Sequence, residues 1–159
     1  MQLNNLKMIQ RIQTIYLVLT TLLLGLTFAF PFATYSLGQG DVIFNAYGVS
    51  ENAGEVSTFF PYYITIALSM GLALFSILQY KKRKVQITVG RFIYLLLAVT
   101  IAFVFIDFYS LKGQFEIDST AVSYGVSMFL PVAALPIIFM ANRNIRKDED
   151  LIKSLDRLR

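Results

Sequence analysis

"KMIQRIQTIYLVLTTLLLGLTFAFPFA", Lys7 to Ala33, begins with two cations and then carries no charge until Asp41. A helix rises 1.5 Å per residue, so about 20 apolar residues cross a hydrocarbon core roughly 30 Å thick. Three readings compete for such a stretch: a cleaved signal, a lone anchor, or the first helix of a larger membrane protein. The apolar core of a signal peptide is only about 7–15 residues long, shorter than the run that closes here near Phe32. Its nearest cleavage candidate, "FPFAT", puts Pro31 and Ala33 where small residues are wanted, a poor match. An uncleaved first span over 12–32 is therefore expected.

Three later runs turn the anchor into a series. Phe59 to Tyr80 holds no charge, 92–111 is interrupted only by Asp107, and 120–142 is again uncharged. Each is long enough to cross as a helix, which satisfies its own backbone groups in lipid. The composition agrees, because 56% hydrophobic and 15% charged residues are the balance of a membrane chain, not of a soluble domain. The fold class expected is an all-α membrane protein, four transmembrane helices arranged as two hairpins.

Charge orients the hairpins. The 1–11 segment holds Lys7 and Arg11, the 81–91 loop holds Lys81, Lys82, Arg83, Lys84 and Arg91, and the 143–159 tail adds six more cations. The 33–58 and 112–119 loops hold one cation, Lys112, against Asp41, Glu51, Glu55, Glu116 and Asp118. Lysine and arginine collect on the cytoplasmic side, so both termini are expected inside. The same bias accounts for a net charge of +4 without nucleic acid, and "KKRKV" at Lys81 reads as a topology signal with affinity for anionic headgroups. Tyr35, Tyr62, Tyr63, Tyr109 and Tyr124, with Phe28, Phe30, Phe32, Phe59, Phe60 and Phe108, cluster near the outer span ends. They are expected at the lipid–water interface.

In the outer loops, "DVIFNAYG" (Asp41–Gly48) alternates and ends on a glycine, and "KGQFEIDS" (Lys112–Ser119) alternates Phe115 and Ile117 with polar residues. The two could pair as a small outer β-cap, or stay irregular loops packed on the helix ends. "IYLVLT…YSLGQG" from Ile15 is echoed by "IYLLLA…YSLKGQ" from Ile93, a parallel repeat or the chance likeness of Leu-rich helices. The tail places Leu151, Ile152, Leu155 and Leu158 on one helical face, with Glu149 four residues before Lys153. It reads either as a surface or docking helix or as an extension of the fourth span.

Cysteine and histidine are both absent. That removes disulfides, thiol nucleophiles and the usual general base, metal ligand and haem ligand. No glycine-rich phosphate loop or paired-carboxylate site appears, so no cofactor is expected and an enzyme is disfavoured. The functional candidates are few. Asp107 is the ionisable residue inside a span, where burying a charge is costly and ion or proton paths are often found; near the outer end of the span, it reads alternatively as an interface anchor or a structural hydrogen bond within reach of water or a neighbouring tyrosine. Pro131 and Pro136 interrupt the fourth span and are expected to kink it, either as a plain packing kink or as a hinge or cavity wall. Gln10, Arg11 and Gln13 form a polar cap at the inner end of the first span. Ala67, Gly71, Ser69, Ala73, Ser76, Thr20, Thr65 and Thr100 supply small and hydroxyl side chains for close helix packing.

"MIQRIQTIYLVLT", Met8 to Thr20, followed by a Phe/Pro-rich span end, resembles the opening of an uncharacterised bacterial family of four-span integral membrane proteins. That family is a domain of unknown function, with no catalytic or binding residues to carry over. The resemblance implies a fold, a place in the bacterial inner membrane, and Met8 as an alternative start. The function expected is an accessory or scaffolding subunit that binds membrane lipids, a membrane-protein partner or a second copy. The alternative is a small oligomeric transporter or channel using Asp107 and the proline-bearing fourth helix.

Overall fold

The computed structural model describes residues 2–37, 40–51, 54–56, 60–80, 82–114 and 122–156; at 2–11, 37, 51, 54–56, 114, 152 and 155–156 it describes the backbone alone. Four helices carry the chain: α1 Gln2–Leu26, α2 Tyr62–Leu78, α3 Arg83–Gln114 and α4 Leu130–Asp156. α1 packs on α2 and α4, and α3 packs on the same two, so the four close into a ring. Strands β1 Ala33–Leu37, β2 Gly40–Asn45, β3 Gly48–Glu51, β4 Gly54–Val56 and β5 Val122–Tyr124 sit at one end. A 3-10 turn, Val126–Met128, leads from β5 into α4.

Each helix turns a narrow seam inward. The buried positions are Gln13, Leu17, Thr20, Leu24 and Thr27 on α1, and Tyr62, Ile66, Ser69, Ala73 and Ser76 on α2. On α3 they include Gln86, Ile93, Leu97, Thr100 and Val104, and on α4 Ala134, Ile138, Ala141, Ile145 and Asp148. Steps of three and four residues keep a helix on one face, the geometry of knobs-into-holes packing. The seam is rich in polar side chains, and most are satisfied locally. Thr20, Thr27 and Ser69 donate to the carbonyls of Tyr16, Leu23 and Thr65 at 2.9, 3.2 and 2.8 Å. Thr100 lies 3.0 Å from the Thr65 hydroxyl, joining α3 to α2. The outward faces are apolar, with Leu22, Leu68, Leu95 and Phe139 between 50% and 60% exposed.

The sheet is antiparallel with order β4-β3-β2-β1-β5. The alternation of "DVIFN" does what period two requires: Val42 and Phe44 face the helices while Asp41 and Ile43 face out. Asn45 closes the β2–β3 turn by accepting from the amides of Tyr47 and Gly48 at 2.9 and 3.1 Å, and Gly48 supplies the positive φ of 141°. Beneath the sheet, Phe32 meets Phe44 and Tyr62 at centroid distances of 5.1 and 5.7 Å, and Phe60 stacks on Phe103 at 4.4 Å.

Several sequence expectations change here. The cap forms, but the partner of the first outer loop is β5, drawn from the start of the stretch assigned to the fourth span. Of the expected partner, 112–114 extend α3 and 115–119 lie outside the described residues. Tyr35 and Tyr62, expected at a lipid interface, are fully buried under the sheet, because the cap covers that end of the helices. The basic stretch 81–91 is mostly helix, since lysine and arginine are good helix formers and no proline stops them. The fourth helix starts at Leu130, which puts Pro131 in its first turn, where a missing amide hydrogen breaks no helical bond; it opens the helix and does not kink it. Pro136 is the proline inside the helix. α4 runs on to Asp156, so the tail extends it; Leu158 and the side chains of Ile152 and Leu155 lie outside the described residues.

Two helical stretches, Arg83–Gly113 and Val126–Leu151, are long and apolar enough to cross a membrane. The shorter apolar stretches are Ile12–Leu26 and Tyr62–Leu78.

Candidate functional site

The end away from the sheet gathers polar chemistry. Gln13 on α1 and Asp148 on α4 share the last level of the buried seam, 5% and 2% exposed. The Gln13 amide Nε2 donates to Asp148 Oδ2. From α3, Arg83 Nη1 donates to the Asp148 carbonyl oxygen at 3.0 Å. Burial pushes the Asp148 carboxyl above its ordinary range, opposed by the Gln13 hydrogen bond and the Arg83 charge. Three helices are thereby tied by one carboxylate residue. Nearby, Gln86 Nε2 donates to the Ser76 carbonyl at 2.8 Å, pinning the start of α3 to the end of α2.

Next to this knot, on the outer side of the α3–α4 contact, is an open crevice of about 650 Å3. α3 contributes Arg91 and Tyr94; α4 contributes Phe139, Asn142, Arg143, Arg146, Lys147 and Asp150. The spacings explain the grouping: 91 and 94 lie one turn apart, as do 139, 143, 146/147 and 150. A second crevice of about 380 Å3 shares Arg91, Arg146 and Asp150 and continues along Lys84, Ile87 and Thr88. The two helices approach closely because residue 90 is glycine. A Cβ there would lie 2.0 Å from Asn142 Oδ1, so the Asn142 amide fills the space a side chain would take. That Oδ1 is buried without a protein partner. Glu149, beside the crevice, pairs with Lys153 at 2.9 Å. The Lys153 hydrogen bond, reinforced by the charges of Lys153, Lys84 and Arg83, holds the Glu149 carboxyl below its ordinary range.

At the sheet end, Asp107 Oδ2 accepts from the buried Tyr62 hydroxyl at 2.6 Å. Tyr35 donates to the Phe108 carbonyl at 3.1 Å, and burial raises its phenol above the usual range. Pro131 and Pro136 lie on α4 toward that end, whereas Gln13 lies at the other, so the candidates fall into two separate neighbourhoods. Gln10 and Arg11 are on α1, and their side chains are outside the described residues. Among the described residues no three His, Cys, Asp or Glu side chains come together as a metal set.

Sequence reasoning singled out Gln13 but missed Asp148, the residue it binds. The available signal was spacing: an acid three residues after Ile145 and seven after Ala141, on a buried seam, within a tail otherwise read as solvated. The neighbouring tyrosine that the sequence puts within reach of Asp107 is Tyr62, which the sequence alone marks only as an aromatic anchor.

Helices whose inward seams mix apolar and polar side chains, an antiparallel cap and a crevice lined by exposed cations at the far end define a small helical protein. The chain belongs to the family described as Domain of unknown function (DUF4293), whose model matches residues 9–158. No curated protein matches the chain.

Proposed function

We propose that the chain is a four-span membrane protein of the bacterial inner membrane, with both termini inside, that acts as an accessory or scaffolding subunit for other membrane proteins or lipids. The observation behind this is an apolar exterior. The most apolar windows of Arg83–Gly113 and Val126–Leu151 are only 28% and 33% buried, while glutamine, serine, threonine and aspartate stand among the leucine, isoleucine and alanine side chains of the interior seam. A core helix of a soluble protein buries its apolar face and exposes its polar one. Lipid tails reverse that preference, and small and hydroxyl side chains then hold the helices together. The apolar stretches Ile12–Leu26 and Tyr62–Leu78 are short for a bilayer alone. α1 continues beyond its stretch toward the polar end, and α2 is closed over by the aromatic layer and sheet.

The chain has no cysteine, so single introduced cysteines report sidedness cleanly. Ser50→Cys on β3 and Lys82→Cys between α2 and α3 both lie at exposed positions. A membrane-impermeant maleimide added to spheroplasts is expected to label the first and not the second; the reverse pattern overturns the orientation. Extraction by alkaline carbonate overturns the membrane reading. The accessory role predicts a stoichiometric partner on purification in mild detergent, and repeated elution of the chain alone refutes it.

A further inference from the structure

The basic crevice between α3 and α4 has a vertical order that a simple counter-ion site does not need. On α3, Tyr94 lies one turn toward the sheet from Arg91; on the antiparallel α4, Phe139 lies one turn toward the sheet from Arg143. Both helices thus put cations at the end of the molecule and an exposed aromatic one turn deeper, at 44% and 58% exposure. We propose that this crevice binds an anionic phospholipid, its phosphate among Arg91, Arg143 and Arg146 and an acyl chain along Tyr94 and Phe139. The proposal rests on the membrane reading above and names the ligand class that reading leaves open.

Charge and polarity support the assignment. Arg91, Arg143, Arg146 and Lys147 face one lining carboxylate, Asp150, and among the described residues none of the four makes an ion pair. The neighbouring acid Glu149 is engaged by Lys153. Cationic pockets between helices on the cytoplasmic side are where acidic headgroups collect, and arginine matches phosphate oxygens in two-pronged geometry. A free phosphate would use the same cations but leave Tyr94 and Phe139 without a role.

Native mass spectrometry of the detergent-purified full chain tests this, with phosphatidylglycerol or phosphatidylcholine added and binding titrated. Phosphatidylglycerol is expected to be retained preferentially. The double variant Arg91→Gln/Arg146→Gln is expected to weaken it about 25-fold, at about fivefold per cation, while Lys82→Gln, outside the crevice, changes it less than twofold. If the first pair fails to elute as a single species, Arg143→Gln/Lys147→Gln on the α4 wall carries the same expectation. Equal binding of the two lipids, or unchanged binding by the variants, overturns the proposal. Displacement of the lipid by millimolar inorganic phosphate assigns the site to free anions and overturns the lipid assignment. A chain that stays in carbonate-washed membranes yet shows no lipid preference refutes the crevice alone; one that is extracted refutes both readings.

Discussion

Replacing Gln13 by Leu removes the one side-chain donor that Asp148 Oδ2 has across the α1–α4 contact. Both residues are at most 5% exposed, so water does not take its place. Arg83 cannot substitute, because it bonds the Asp148 main-chain carbonyl and reaches the carboxylate only through its charge. A hydrogen bond to a buried charged group is worth about 1.5–3 kcal/mol. At about 2–4 °C per kcal/mol for a chain of this size, the unfolding midpoint should fall by roughly 3–12 °C. Asp148→Asn behaves differently, since its amide oxygen still accepts from Gln13 and no charge is buried. The Gln13→Leu cost should therefore shrink in an Asp148→Asn background, with a coupling of about 1 kcal/mol or more. Protonation gives an independent check. Burial raises the folded-state pKa of Asp148 above its unfolded value, so between the two the folded chain holds the extra proton. Stability from this group is full below the unfolded pKa and is lost as pH rises through the folded one. The midpoint of wild type minus that of Asp148→Asn should consequently fall as pH rises above the ordinary carboxylate range. Far-ultraviolet circular dichroism in one fixed detergent is the assay, as the chain has no tryptophan to follow. A flat difference across pH, or strictly additive effects of the two substitutions, refutes the coupled knot.

Three further outcomes are expected. Gly90→Ala drives a Cβ to 2.0 Å from Asn142 Oδ1 and should cost about 1–3 kcal/mol, largely recovered by adding Asn142→Ala in the same thermal assay. Gly125→Ala should be at least as costly, and no side-chain truncation should rescue it, because its Cβ would lie 1.9 Å from the Pro31 carbonyl oxygen, a main-chain atom next to the Phe32 carbonyl that accepts from the Gly125 amide at 2.9 Å. Tyr62→Phe removes the 2.6 Å donor to Asp107 and should destabilise by about 1.5–3 kcal/mol, whereas Asp107→Asn, which keeps an acceptor, should cost less; equal losses refute that bond as the reason for the pair.

What was legible in the sequence followed from period and charge. Four apolar runs yielded four helices, and the alternation of Asp41 to Asn45 yielded a strand with Val42 and Phe44 inward. The boundaries that moved did so for local reasons. "KKRKV" has no helix breaker, so charge marked a loop where backbone preference continued a helix. Val122–Tyr124 reads as the start of an apolar run, and its pairing with Ala33–Tyr35 depends on a contact nearly 90 residues away that no local pattern encodes. Asp148 was hidden for the same reason: its partner lies 135 residues earlier.

The placement of polar groups separates the interior from the ends. Inside the ring, hydroxyls return to their own helix: Thr20, Thr27, Ser69 and Thr100 each bond a carbonyl four residues back. Such groups let helices touch without demanding a particular neighbour. Apart from the Thr100–Thr65 contact between α3 and α2, the long-range side-chain bonds among the described residues sit toward the two ends. Tyr62–Asp107 and Tyr35–Phe108 fasten the helices under the sheet, and Gln13–Asp148 and Arg83–Asp148 fasten them at the far end. An interior held by interchangeable contacts gains its register from those end ties. The exposed cations of the α3–α4 crevice belong to neither class: Arg91, Arg143, Arg146 and Lys147 fasten nothing in the described fold. Charges that leave the chain's own register unchanged are free to meet a ligand, and the aromatics one turn deeper favour a ligand with a tail.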